Sequence, residues 1–364
     1  MSGDQDRVDL SAADDAGIWT DAEPLECCSV VPEAPETMTF SFTAPSGALF
    51  RFAPGQFMTL ELPVPGGTVW KTYTISSSPS RPLSISITVK AQEGSVGTRW
   101  MLDQLKPGMR IKAMGPAGLF TLPPRERKKY LFISAGSGIT PSLSMTTYLY
   151  DRGTDVDVNF IHCARRPQDI ISRQRLEMMA ARMPGIKLSF VVKEDDPYRV
   201  WTGYRGRLNQ IMLGLIAGDY LEREVYCCGP ESFMTSVREM LIALGYDMER
   251  YHQESFSAPI EDAADVAVPD DVVPDEDAAA EIAFAASGVT ASCHETDTVL
   301  SVARGAGIVI PSGCTFGVCG TCKIRKTKGQ VVMVHNGGIS EDDIEDGYIL
   351  ACCSKPIGQV EVEV

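Results

Sequence analysis

The chain has no run of about 18 apolar residues, and its first stretch, MSGDQDRVDLSAADDAG, lacks the basic-then-apolar order of a secretory leader. No membrane-spanning helix is expected, and a cytoplasmic location is the default. Basic side chains are also short, with 33 Lys and Arg against 48 Asp and Glu and a formal net charge of -15. Nucleic-acid binding needs clustered cations to displace counterions from phosphates, so neither nucleic acid nor membrane is an expected partner. Histidine is scarce at four residues, and no nucleophile–base triad or substrate-facing carboxylate pair stands out. His252 and His294 read as structural or surface residues.

Cysteine is not scarce. Eleven cysteines, an odd number in a chain with no secretory signal, fit disulfides poorly and put metal binding and local chemistry first. At 364 residues and 44% hydrophobic content, two or three domains with cores of their own are expected.

The pattern along the chain divides it. Residues 1–22 are acidic and aperiodic and read as a disordered tail. From 23 to 124 short β-branched runs alternate with turn residues: 37–43 (TMTFSFT), 57–62 (FMTLEL), 72–76 (TYTIS) and 84–90 (SISITVK). That spacing predicts a small antiparallel β-barrel. From 125 to 256, apolar strands at 129–134, 156–162, 186–192 and 223–229 alternate with helices near 140–151, 169–183 and 231–244. Such alternation predicts an α/β domain with a parallel sheet and a nucleotide-binding layout. Residues 257–279 are acidic, without Lys or Arg, and read as an extended linker. Residues 280–364 hold short strands, one helix near 297–304 and a cysteine loop, a third compact α+β unit.

The loop reads CTFGVCGTC from Cys314 to Cys322, a C-x4-C-x2-C spacing, and 29 residues separate Cys322 from Cys352. Three sulfurs on a tight loop and one from a distant segment suit the plant-type 2Fe–2S cluster. Gly313, Gly317 and Gly320 let the backbone curl closely around it. A structural zinc site ordinarily shows two C-x2-C knuckles where this chain has one; a redox dithiol at Cys319 and Cys322 is the other alternative. From about residue 280 onward the sequence resembles plant-type ferredoxins, which implies a β-grasp fold and Cys314, Cys319, Cys322 and Cys352 as ligands. Cys352 is preferred over Cys353 because it takes the Leu-Ala-Cys place and because, in an extended segment, Cys353 faces away.

Within the barrel region, Lys71-Thr72-Tyr73-Thr74-Ile75-Ser76 resembles the R-x-Y-S/T-x-x-S motif of ferredoxin–NADP reductase-like flavoproteins, with Lys71 in place of the usual Arg. The resemblance implies a flavin, with Lys71 on its phosphate, Tyr73 packed on its ring, and Thr74 or Ser76 at its edge; Val89 belongs to the same implied set. Gly94, Ser95, Gly97 and Thr98 stand where that family opens a short helix onto the pyrophosphate, Gly97 replacing a common Ser. FAD is the implied flavin, although FMN serves some members of the same build.

After the strand at 129–134 comes Ala135-Gly136-Ser137-Gly138-Ile139-Thr140-Pro141. A glycine turn opening a helix lets a dinucleotide pyrophosphate approach the backbone amides. It resembles the family's G-x-G-x-x-P signature, implying contacts from Gly136, Gly138, Thr140 and Pro141 to NADH or NADPH. Arg165 ends the next strand, where a basic side chain can meet pyrophosphate or a 2′-phosphate. Cys228-Gly229-Pro230 resembles the C-G-P segment beside the nicotinamide. Glu254-Ser255-Phe256 resembles the terminal E-x-F segment near the flavin. Cys228, Glu254 and Phe256 are therefore the implied catalytic residues.

A nicotinamide gives up two electrons together and a 2Fe–2S cluster takes one, so a flavin between them is the chemically sensible bridge. The domain order resembles the reductase components of Rieske-type oxygenases, including those serving demethylation of glycine betaine, carnitine or stachydrine. The implied function is electron delivery from NAD(P)H to a separate oxygenase. Delivery to hybrid-cluster protein or another acceptor is the alternative, and a redox-responsive binding protein ranks below both.

Overall fold

The computed structural model describes residues 17–92, 94–123, 127–153, 155–196, 200–256, 278–313, 317–335 and 338–364. Residues 257–277 of the expected linker, residues 1–16 of the expected tail and the expected ligand Cys314 lie outside them.

Strands β1 (Leu25–Ala34), β2 (Thr37–Thr43), β3 (Phe57–Val64), β4 (Gly67–Thr74), β5 (Ile85–Lys90), β6 (Arg110–Ile111) and β7 (Ala113–Ala117), with helix α1 (Val96–Gln104), form the first domain. Two antiparallel sheets, ordered β5-β2-β1-β6 and β4-β3-β7, meet through an Ile75–Ile87 bridge. Alternating Phe40 and Phe42 and alternating Ile85 and Ile87 point inward and are essentially fully buried, the period-2 signature that predicted the barrel. β1 was not expected: Pro32 and two glutamates interrupt its alternation, and only Leu25 and Cys27 are buried.

The tail boundary needs correction. Residues 17–22 belong to the barrel, because Trp19 is 4% exposed and sits 5.6 Å from the Phe50 ring. Its backbone amide donates to Leu49 O at 3.0 Å. A single large aromatic gains more by burial than the acidic residues around it lose by being held nearby.

The second domain holds β8 (Lys129–Ala135), α2 (Ile139–Arg152), β9 (Asp157–Ala164), α3 (Arg173–Arg182), β10 (Ile186–Val192), β11 (Tyr204–Arg205), α4 (Gln210–Ile216), β12 (Glu224–Cys228), α5 (Glu231–Ala243) and β13 (Tyr251–Glu254). Its sheet is parallel throughout, ordered β11-β10-β9-β8-β12-β13. The chain works outward from β8 in one direction and then returns to β12 on its other side. The crevice at this reversal, beyond the carboxyl ends of β8 and β12, is where open α/β sheets place ligands. Helix α3 begins later than its pattern suggested, after a 3-10 turn at Pro167–Asp169 and the buried Ile170 and Ile171.

The third domain contains β14 (Ala279–Phe284), β15 (Val289–His294), α6 (Val299–Gly305), β16 (Lys323–Met333), α7 (Glu341–Glu345), β17 (Tyr348–Leu350) and β18 (Ser354–Val362). A mixed sheet ordered β15-β14-β18-β16-β17 receives the buried Val299, Leu300 and Ala303 of α6. Between the first two domains, Arg81 makes a forked ion pair to Asp151 at 2.6 and 2.9 Å, and Ser144 Oγ donates to Ser77 O at 2.6 Å.

Candidate functional site

One cavity of about 260 Å³ lies at the reversal point and draws on all three domains. Lys71, Thr72, Tyr73 and Thr74 come from β4, Thr88 to Lys90 from β5, and Gln92, Ser95 and Thr98 from the start of α1. Ser137 comes from the glycine turn before α2 and Thr140 from the first turn of α2, Glu254 to Phe256 from the end of β13, and Gly313 and Val318 from the cysteine loop. Of the expected residues, Lys71, Tyr73, Thr74, Val89, Ser95, Thr98, Thr140, Glu254 and Phe256 thus share one wall.

The others are placed differently. Ser76 is 1% exposed and bonds Thr88 Oγ1 at 2.9 Å and Ser86 O at 3.2 Å, so its hydroxyl is used within the barrel. Gly97 is a packing glycine: a Cβ there would stand 3.2 Å from Lys71 Cγ and 3.3 Å from Leu62 Cδ1. Its lack of a side chain seats α1 on β3 and β4. Gly94 has φ +73 and takes the turn before the helix. Ser95 caps α1, its Oγ accepting from Thr98 N at 3.4 Å, and both residues line the cavity.

In the nucleotide domain the glycine turn presses on the end of β12. A Cβ on Gly138 would lie 2.4 Å from Cys228 O and 2.5 Å from Gly229 N. Gly229 in turn lies close against Ala135 and Phe233. Gly136, at φ +55, makes the bend, and Pro141 is buried in α2's first turn. Pro230 caps α5. Cys228 has no exposure, and burial raises its thiol well above the ordinary range, with Glu254 adding to the effect. Cys228 and Glu254 are register partners on β12 and β13. Burial pushes the Glu254 carboxyl up to about 8, and its Oε2 is sealed without a partner. Phe256 stays 41% exposed.

Arg165 is held away from this cavity. Its Nε lies 3.0 Å from Glu194 Oε2, with Arg166 Nε at 3.4 Å from the same oxygen. The hydrogen bond from Arg165 holds the Glu194 carboxyl below its ordinary range. Nearby, His162 is fully buried with Nδ1 2.9 Å from Ser134 Oγ, and burial lowers its pKa to about 3, so it stays neutral.

In the third domain Cys319, Cys322 and Cys352 are 7, 1 and 6% exposed. The backbone amide of Cys352 donates to Cys322 Sγ at 3.4 Å. Gly317 and Gly320 adopt φ +73 and +69, and a Cβ at Gly320 would meet Gly338 O at 2.8 Å. The segment around Cys352 and Cys353 is a turn after β17, not an extended strand. The Cys353 thiol instead donates to Leu350 O at 3.7 Å. Among the described residues no three metal-ligating side chains converge; Cys314 is not among them.

Three family descriptions match consecutive parts of the chain: an oxidoreductase FAD-binding domain over residues 29–122, an oxidoreductase NAD-binding domain over 132–239, and a 2Fe-2S iron-sulfur cluster binding domain over 283–356. The stachydrine N-demethylase reductase subunit of Rhizobium meliloti is 67% identical over 346 residues, covering 95% of this chain and 98% of the relative. The glycine betaine monooxygenase reductase subunit of Pseudomonas aeruginosa is 43% identical over 95% of this chain and 96% of its own length. The chain belongs to the reductase subunits of multicomponent oxygenases. Phthalate dioxygenase reductase superposes with a TM-score of 0.60 at 23% identity, covering 95% of this chain and all of that structure, and so shows the three-domain fold.

The reductase is an oxidoreductase with FAD, NAD and 2Fe–2S domains, and it carries electrons from NAD(P)H toward an oxygenase partner. Its cavity fits a flavin on grounds of its own. The Tyr73 hydroxyl and Glu254 Oε2 are both buried without partners, an arrangement that costs free energy unless a bound molecule supplies the missing bonds. The thiol donor set of the third domain fits an iron–sulfur cluster by its softness. The sequence does not single out Phe57, Thr88, Lys90, Gln92 and Val318 of the cavity wall, and it gives Ser137, Ser255 and Gly313 only as parts of their motifs. Lys90 and Gln92 directly precede Gly94-Ser95, and Ser137 lies inside the glycine turn, so proximity to a recognised motif was the available signal. No helix among the described residues is long and apolar enough to cross a membrane.

Proposed function

We propose that the reductase takes electrons from NADH and delivers them singly to a separate Rieske-type oxygenase that removes an N-methyl group from a small quaternary-ammonium carboxylate. The convergence of three domains on one cavity carries the electron route, and the relatives named for stachydrine and glycine betaine support the substrate class. A flavin held by this cavity would supply the conversion between two-electron chemistry at the nicotinamide and one-electron chemistry at the cluster.

The chain's own residues bind and shield. Lys71 and the α1 amides offer positive charge to flavin phosphate, while Tyr73 covers the ring and gains a partner for its hydroxyl. Gly136 and Gly138 give the dinucleotide pyrophosphate access to backbone amides. Cys228, Glu254 and Phe256 close the nicotinamide side against water, with Glu254 holding a proton below about pH 8. Cys314, Cys319, Cys322 and Cys352 are the proposed cluster ligands. An anaerobic titration with NADH should bleach flavin and cluster together, and in a separate aerobic assay the oxygenase with dioxygen and stachydrine or glycine betaine should release formaldehyde. Reduction without turnover of any N-methyl substrate would sink the substrate class and leave the electron route standing.

Preference for NADH rests on Glu194. Arg165 and Arg166 stand at the end of β9, beside the glycine turn, where an arginine accommodates a 2′-phosphate. Glu194 occupies both cations and is fixed by its own amide, which donates to Arg165 O at 2.7 Å. A 2′-phosphate would meet that carboxylate as a like charge. Glu194→Gln is expected to raise kcat/KM for NADPH about tenfold, with little change for NADH. Equal response to the two nucleotides would refute the assignment.

A further inference from the structure

The third domain meets the barrel through hydroxyls and a bare backbone. Thr321, one residue before Cys322, donates from Oγ1 to Thr59 Oγ1 at 3.3 Å across 262 positions of sequence. Thr59 Oγ1 is 3.1 Å from Thr72 Oγ1, its register partner across β3 and β4. Thr59 and Thr321 are 1 and 5% exposed, so the contact between the two domains is closed to water, while Thr72 is half-buried at the cavity edge. Beside it, a Cβ on Gly313 would stand 2.6 Å from Thr72 Oγ1, 2.8 Å from Thr59 Cγ2 and 3.3 Å from Cys319 Sγ. Gly313 is bare because of this approach, not because of its φ, which is ordinary.

We infer that Thr59, Thr72 and Thr321 form a releasable latch that seats the cysteine loop against the flavin wall. Thr72 lies between Lys71 and Tyr73 in the cavity wall, so the strand that lines the cavity also holds the loop. Three threonine hydroxyls can exchange each other for water when the domains part, whereas an apolar seam would resist parting. The latch therefore positions the loop for transfer from the barrel and lets it go. In the seated state the barrel covers part of the loop, beside Cys319, that a large protein acceptor would approach. These are positioning residues, and the inference rests on the electron route proposed above.

Single-turnover reduction of the holoprotein by NADH separates the steps. Thr59→Val keeps the volume and removes the shared hydroxyl. It should leave the rate of flavin bleaching unchanged and slow the rise of the reduced-cluster electron-spin signal about fivefold, the effect of one net hydrogen bond. Thr59→Ser should restore the rate. As a readout independent of turnover, oxidation of the Thr59→Cys, Thr321→Cys double variant should join the two peptides by a disulfide detectable by mass spectrometry. Wild-type transfer in Thr59→Val, equal slowing of flavin bleaching, or no cross-link would each overturn the latch. Absence of NADH-driven flavin bleaching in the unaltered protein would instead overturn the electron route itself.

Discussion

Cys352→Ser is expected to strip the reductase of most of its cluster iron while Cys353→Ser keeps it. Cys352 is 6% exposed, its amide is bonded to Cys322 Sγ at 3.4 Å, and it lies in the turn that closes on the cysteine loop. Cys353 turns its thiol toward Leu350 O and packs against Gly317, where a Cβ would come within 2.9 Å of its sulfur. Cys353 supports the loop at Gly317, and Cys352 holds its amide against Cys322 Sγ. Loss of a ligand exceeds loss of an outer-shell partner, which alone costs about 10–100-fold in affinity. Iron content, the electron-spin signal and electron delivery to cytochrome c should fall together in Cys352→Ser. NADH-driven flavin bleaching should persist, because no residue of that step is altered. A full cluster in Cys352→Ser, or an empty site in Cys353→Ser, would exchange the two assignments.

Of the two grounds for preferring Cys352, the Leu-Ala-Cys place does not depend on local conformation, whereas alternation does, and the segment is not extended. Alternation along an extended strand separates neighbours by face, but here a turn does so. The strands at 37–43 and 186–192 were legible to the residue because one face of each is apolar. The first strand was not, since Pro32 and its glutamates hide the two inward residues. The motifs pointed to the cavity through residues adjacent in sequence, such as Lys71 to Thr74. What joins domains was invisible: no local pattern links Thr59 to Thr321, or Arg81 to Asp151. Charge was misleading in the same way. Arg165 looks like a free cation in HCARR, and only the fold brings Glu194 across from the end of the neighbouring strand to occupy it. Gly97 matched a phosphate-binding position, yet its immediate constraint is the packing of α1 on Lys71 and Leu62.

Glu254→Gln is expected to make the reductase more stable at alkaline pH and to flatten the dependence of its melting temperature on pH. Burial raises the Glu254 carboxyl from 4.5 to about 8. In the unfolded chain the group ionises near 4.5, so between about 4.5 and 8 the folded state binds a proton that the unfolded state has lost. Stability conferred by the protonated group is therefore complete below pH 4.5, declines as pH rises through that window and is gone above about 8. Each pH unit crossed is worth roughly 1.4 kcal/mol at most. Glutamine keeps the shape and stays neutral, removing the slope without removing the hydrogen-bonding end. Melting temperatures of the two holoproteins should coincide near pH 5, and the variant should melt several degrees higher at pH 8.5. Parallel curves across that range would show that Glu254 is ionised in the folded protein, and that something in the cavity compensates its charge.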